Sequence, residues 1–206
     1  MLMETTATRF WNWFALRQEQ LKCLFCLDMD TQAHLVDQLN NHLYYYCEEL
    51  EVIIKFDPEA STAELIITAW GNPEYFEMAN TLAHAAPVMP GWTITCLRPT
   101  QVDVEWLIEP GEIKVDPQAM QFAPRTAHGM FDGIRVFIPG YNYTREEEYY
   151  TLVLDMLINL LGEETFGYEV TFFGLARLPE SKIPAGLRPF LDLPEFLEEY
   201  WLGKTL

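Results

Sequence analysis

Four cysteines and four histidines are the residues with which this chain could bind a metal or run thiol chemistry. Cys23 and Cys26 form a CxxC pair. A redox pair works best at the start of a helix, where the dipole lowers the thiol pKa. Here the apolar pattern places the pair at the end of a helix. A zinc site would need two further ligands, and His42 and Cys47 on the next helix are the candidates. Helical spacing instead puts the cysteines in the core or at its edge, so no metal and no cofactor is expected. His34, His42, His84 and His128 form no HExxH pattern. The serines, Ser61 and Ser181, sit in polar loops, whereas a serine triad needs its nucleophile on a sharp turn. Neither GxxxxGK[ST] nor GxGxxG occurs, so the phosphate-cradling loops are missing.

Carboxylates are the abundant reactive groups. Asp103 and Glu105 alternate along a short run, with Glu109, Glu112 and Asp116 close behind. Two carboxylates about 5–9 Å apart can hydrolyse a glycosidic bond. A hydrolase using acids from 103–116, with Arg98 or Arg177 as an anion anchor, is therefore the alternative reading. Alternating acids on a strand also describe its solvated face. Glu146, Glu147 and Glu148 open a helix, where negative charge complements the macrodipole. Tyrosines flank the acidic stretches: Tyr44 and Tyr45 in one, Tyr141, Tyr143, Tyr149 and Tyr150 in the other. With Arg135, these acids and tyrosines are the candidate binding residues.

The elements that must position these residues follow from periodicity. An apolar stripe of Phe10, Trp11, Trp13, Phe14, Leu21 and Leu24 predicts a helix from about Thr8 to Phe25. Asp28 can cap the next helix, which runs to about Cys47 on Leu35, Leu39 and Leu43. Strands are predicted at Glu51–Phe56, Glu64–Trp70 and Trp92–Leu97. Between the last two, Asn72 caps a helix that opens with Pro73 and reaches Ala86. Residues 99–130 read as one or two short strands on loops. Gly133–Ile138 is a strand. Thr144 and Glu147 have the spacing of a capping box for a helix to Leu161, with Gly162 suited to its C-terminal turn. Tyr168–Leu175 reads as the last long strand, and a short helix from about Pro194 to Trp201 ends the pattern. Two ββαβ halves are visible, 50–99 and 112–179, behind an N-terminal helical pair at 8–47 and before an extension at 180–206.

On the predicted strands Thr93, Thr95, Arg135 and Thr171 oppose the apolar residues. If these strands are neighbours, they give the sheet a polar face that also carries Phe137 and Phe173. The first helix, with Trp11 and Trp13, is expected to cover that face. The expected fold is α+β: one domain over 1–206, a mostly antiparallel sheet, helices chiefly on one face, and a possible pseudo-repeat of ββαβ units.

Half of the 206 residues are hydrophobic and 14% are aromatic, enough for a core without disulfide staples. The net charge is −18, beyond the magnitude of about 2–8 usual for a small domain. Residues 28–64 carry nine acids against one lysine, and residues 141–170 carry seven against one arginine. Such a field repels nucleic acid and anionic membranes and attracts a basic protein. There is no apolar window of 18 residues. Met1-Leu2-Met3-Glu4 lacks the features of a signal peptide. The expectation is a cytoplasmic protein with no nucleic-acid and no membrane partner.

Phe10-Trp11-x-Trp13-Phe14, Leu65-Ile66-Ile67-Thr68-Ala69-x-Gly71-Asn72, Ala85-Ala86-Pro87 with Gly91-Trp92, Arg98-Pro99, and the Leu160-Leu161-Gly162-Glu163 end of a helix resemble a family of uncharacterised bacterial proteins of about this length. The resemblance spans most of the chain. It implies no activity and no catalytic residues. Some relatives resemble proteins found beside polymorphic toxins, which implies an immunity-like role. The function expected is a non-enzymatic intracellular protein that binds another protein through its acidic surface.

Overall fold

The computed structural model describes residues 6–101, 113–180 and 184–203. The chain divides into two compact units, Met1–Arg98 and Pro99–Leu206. Its strands fall into two sheets rather than one. Both mix helix and strand, and antiparallel pairing predominates over parallel.

In the first unit, α1 (Thr6–Lys22) and α2 (Met29–Tyr44) precede β1 (Glu51–Asp57), β2 (Thr62–Thr68), α3 (Phe76–His84) and β3 (Trp92–Cys96). A 3-10 turn, Leu24–Cys26, takes up the end of the expected first helix. The Asp28 side chain accepts from Thr31 N at 3.0 Å and caps α2 as its residue type requires. The sheet order is β1-β2-β3. β1 and β2 form an antiparallel hairpin, and α3 carries the chain across to β3, parallel to β2. Asn72 accepts from Glu74 N at 3.1 Å, and Pro73 opens the 3-10 turn that leads into α3. The core gathers Phe10, Trp11 and Phe14 of α1, Leu39 and Leu43 of α2, Leu65 and Ile67 of β2, and Ala79 and Leu82 of α3. Trp11 donates its indole N–H to the Leu82 carbonyl at 2.8 Å, so its one polar atom is satisfied in the core.

In the second unit, β4 (Gln121–Ala127) and β5 (Met130–Ile138) form a hairpin, then come α4 (Glu146–Leu161), α5 (Glu163–Glu169), β6 (Phe173–Arg177), β7 (Arg188–Pro189) and α6 (Leu193–Trp201). The sheet order is β6-β5-β4-β7, with β6 parallel to β5. His128 (φ 54°) and Gly129 (φ 80°) make the β4–β5 turn, both in the left-handed region that a two-residue type I′ hairpin requires. Pro124 is tolerated in β4 because β7 pairs only with Gln121 and Phe122. Hairpin, helical crossover and parallel strand thus occur in the same order in both units. The second adds α5, β7 and α6, and the shared order is a topology rather than a demonstrated repeat.

Several expectations are corrected. Tyr168 and Glu169 end α5 instead of opening a strand, because Gly162 (φ 79°) turns the chain into a second helix after α4. Asn142, not Thr144, caps the start of α4's leading turn: its Oδ1 accepts from both Thr144 N and Thr144 Oγ1. Within residues 184–203 the chain packs into the second unit. Phe190, Leu193, Phe196 and Leu197 are buried, Phe196 packs edge-on against Phe122, and the Tyr200 hydroxyl accepts from Phe131 N at 2.8 Å. Among the described residues, no helix is long and apolar enough to cross a membrane.

Candidate functional site

α4 brings together the acids and aromatics of residues 143–151. Tyr143, Thr144, Arg145, Glu146, Glu147, Glu148, Tyr150 and Thr151 line an open groove of about 760 Å³. The local sequence explains the placement. Gly140 (φ 68°) turns the chain out of β5, Asn142 caps a 3-10 turn, and the triple-glutamate run begins α4, where the helix dipole favours negative charge.

The three carboxylates are not equivalent. Glu148 accepts from Arg145 Nε at 2.8 Å and from Arg145 Nη2 in a bidentate pair. That guanidinium holds the Glu148 carboxyl below its ordinary pKa. Glu146 lies beside the Tyr141 hydroxyl. Glu147 is exposed on the outer side of the first turn. Tyr143 is 63% exposed, and the Tyr150 ring stacks on Phe173 with centroids 4.3 Å apart.

Tyr141 and Tyr149 do not present themselves to a partner. Both are buried. Their rings meet edge to face at 4.8 Å, and Tyr141 makes a similar contact with Tyr143. Together they form the floor that holds Tyr143 in place. The Tyr141 hydroxyl has no hydrogen-bond partner in good geometry. Burial raises its pKa first, and the nearby Glu146 carboxylate raises it further.

Arg135 is exposed on β5, between Ala123 of β4 and Gly174 of β6. Phe137 shares its face and is half-buried. Phe173, expected there too, lies on the opposite, buried face, because it pairs with Ile134 rather than with Arg135. Thr93 and Thr95 belong to the first unit's sheet and do not neighbour β5. Trp11 and Trp13 are spent on the first unit's own core.

Tyr44 and Tyr45 lie in the first unit, at the end of α2, exposed and edge-on to each other at 6.5 Å. A hydrogen bond to Glu48 raises the Tyr44 pKa. Cys23 and Cys26 are exposed rather than core, because the 3-10 turn after α1 rotates them outward, and Cys47 is half-buried. His42 stacks on Trp13 at 4.7 Å, on the ring that also receives the Arg17 guanidinium at 5.0 Å. Burial lowers its pKa, helped by Arg17 and Arg9. Among the described residues no three His, Cys, Asp or Glu side chains are grouped to hold a metal ion.

Of the acids proposed for hydrolysis, Asp103, Glu105, Glu109 and Glu112 lie outside the described residues. Asp116 accepts from Gln118 N at 2.9 Å in a local turn. Arg98 is buried with its guanidinium 5.3 Å over the Trp70 ring. Arg177 pairs with Glu180 at 3.1 Å.

Comparison with protein-family models, curated proteins and solved structures finds no match. The chain's own geometry is what bears on function. The feature that sequence reasoning missed is an apolar groove formed by α4, α5 and α6. Its signal was weak: the adjacent bulky residues Trp201 and Leu202, at the end of an amphipathic helix.

Proposed function

We propose that this protein binds a basic segment of another protein in the groove at the start of α4. The observation that carries the reading is the convergence of Glu146, Glu147, Tyr143 and Tyr150 on one open depression of about 760 Å³. The groove is too open to exclude water, which favours binding over catalysis. Glu148 is already neutralised by Arg145, so the attraction falls to Glu146 and Glu147. Tyr143 and Tyr150 offer rigid amphipathic rings, to stack on an arginine plane or to cover the stem of a lysine. The −18 charge of the whole chain steers such a partner from a distance and repels acidic ones. The immunity-like role implied by the family resemblance is one setting for such binding, in a cytoplasmic protein without enzymatic activity.

The test is affinity capture of the native partner, washed at rising salt, alongside titration of an arginine- and lysine-rich peptide. Binding should weaken steeply with ionic strength. A Glu146→Gln/Glu147→Gln variant should bind about tenfold more weakly, the loss of two charge-assisted contacts at a partly exposed site. Salt-insensitive binding, or equal binding by this variant, overturns the reading.

A further inference from the structure

The second unit holds another concavity, of different chemistry and independent of the acidic groove. Where the end of α4 meets α5 and α6, a groove of about 520 Å³ is walled largely by apolar side chains, among them Leu161, Leu197, Trp201 and Leu202. Trp201 is 62% exposed and Leu202 is 67% exposed. Both stand at the rim, where bulky apolar side chains gain nothing from water. Among the described residues no lysine or arginine lines this groove, but Glu169 and Glu198 do. The Oε2 of Glu169 is shielded from solvent and has no hydrogen-bond partner among the described residues. Two carboxylates beside apolar walls favour a cationic donor over an anionic one.

From this pairing of apolar walls with the Glu169 and Glu198 carboxylates, we propose that the α4–α5–α6 groove is a docking site for an amphipathic helix of a partner protein. That helix carries an apolar stripe and a lysine or arginine beside it. The apolar residues, spaced three or four apart, seat between Leu161, Leu197 and the Trp201–Leu202 rim. The cation sits beside the Glu169 and Glu198 carboxylates that line the wall. Charge complementarity selects the occupant: a helix with acids beside its stripe would set like charges together. A small molecule would leave the rim exposed, whereas a helix spans the open side and covers it.

The probe is a leucine–lysine amphipathic helical peptide, fluorescently labelled and titrated into the full-length protein by anisotropy. A leucine–glutamate peptide of the same pattern, an oligolysine without leucines, and a straight-chain alkylammonium run as competitors. The leucine–lysine peptide should bind. Leu202→Asp should weaken it about tenfold or more, as loss of an apolar anchor does at other interfaces. Glu169→Gln should weaken it severalfold, and the leucine–glutamate peptide should not compete. Glu146→Gln/Glu147→Gln should leave this affinity unchanged, which separates the site from the acidic groove. Circular dichroism and thermal unfolding check each variant's fold. If Leu202→Asp does not fold, Trp201→Ser and Glu169→Gln decide the matter. Absence of binding, equal binding by the folded rim variants, full competition by oligolysine, or displacement by the alkylammonium alone would each overturn the proposal.

Discussion

Tyr141 lies buried beside the start of α4, beneath the exposed ring of Tyr143. Its ring is buried between Tyr143 and Tyr149, and its hydroxyl lacks a partner in good geometry. Burial first, then Glu146, raises its pKa above the unfolded value of a tyrosine. A group whose folded pKa is raised contributes stability that is fully present below the unfolded pKa, about 10 for tyrosine. That contribution is lost as pH rises through the folded value. Tyr141→Phe should therefore flatten the loss of stability above about pH 10 relative to the parent protein, while matching or exceeding its stability near neutrality. Denaturant unfolding of both proteins across that range is the check; parallel curves would show that the hydroxyl is not desolvated. The tyrosine was visible as an aromatic beside an acidic helix start. Its burial was not, because Tyr141 and Tyr143 both flank Asn142 and only the turn at Gly140 sends one inward and the other outward.

At the scale of elements, β5 depends on one glycine. The β4–β5 register shifts between Arg125 and Thr126, so Asp132 is the extra residue of a bulge. Gly133 follows it at φ 150°. A Cβ there would sit 2.0 Å from the Phe172 carbonyl oxygen, while the next residue, Ile134, donates its N–H to that same oxygen at 3.0 Å. Gly133→Ala must push β5 and the entry to β6 apart. It should cost about 2 kcal/mol or more and lower Tm by about 5 °C or more; an unchanged Tm would mean that the strand relaxes freely. Elements with a strong local signal were legible: α1 from its aromatic stripe, α2 from Asp28, and the approach to α3 from Asn72-Pro73. α5 was not. Residues 163–169 are too short to declare a helical period, and they coil because Gly162 passes its carbonyl to Phe166 N at 2.9 Å.

For the molecule as a whole, the −18 charge is the governing quantity. Ion pairs such as Arg145–Glu148, Arg177–Glu180 and Arg188–Glu199 are largely exposed, so each offsets little of the mutual repulsion. Moderate salt shortens the screening length to about 10 Å or less and relaxes that repulsion. Tm should therefore rise as sodium chloride is added from low ionic strength, the reverse of a protein held together by surface salt bridges. A falling Tm in a calorimetric salt series would refute this. The same salt that stabilises the fold should weaken the binding of a basic partner proposed for the acidic groove. Stability and affinity then move in opposite directions, and a simple loss of folded protein cannot explain both.

Composition and period sufficed for the α+β class, the order of most elements and the surplus of acid, because each is a property of residues near one another along the chain. The caps Asp28 and Asn72 belong with them, since a cap is satisfied within three residues of itself; at α4 the expected Thr144 gives way to Asn142. Pairing was not accessible in this way. Apolar strands carry no mark of which sheet they join, so the separation into β1-β2-β3 and β6-β5-β4-β7 is visible only in the hydrogen-bond ladders. The same holds for the two grooves. One gathers residues within nine positions of each other and was half legible as an acidic, aromatic run. The other joins α4 to α6, separated by some thirty residues. Its apolar walls and buried carboxylate oxygen come together through packing, and no local pattern encodes that meeting.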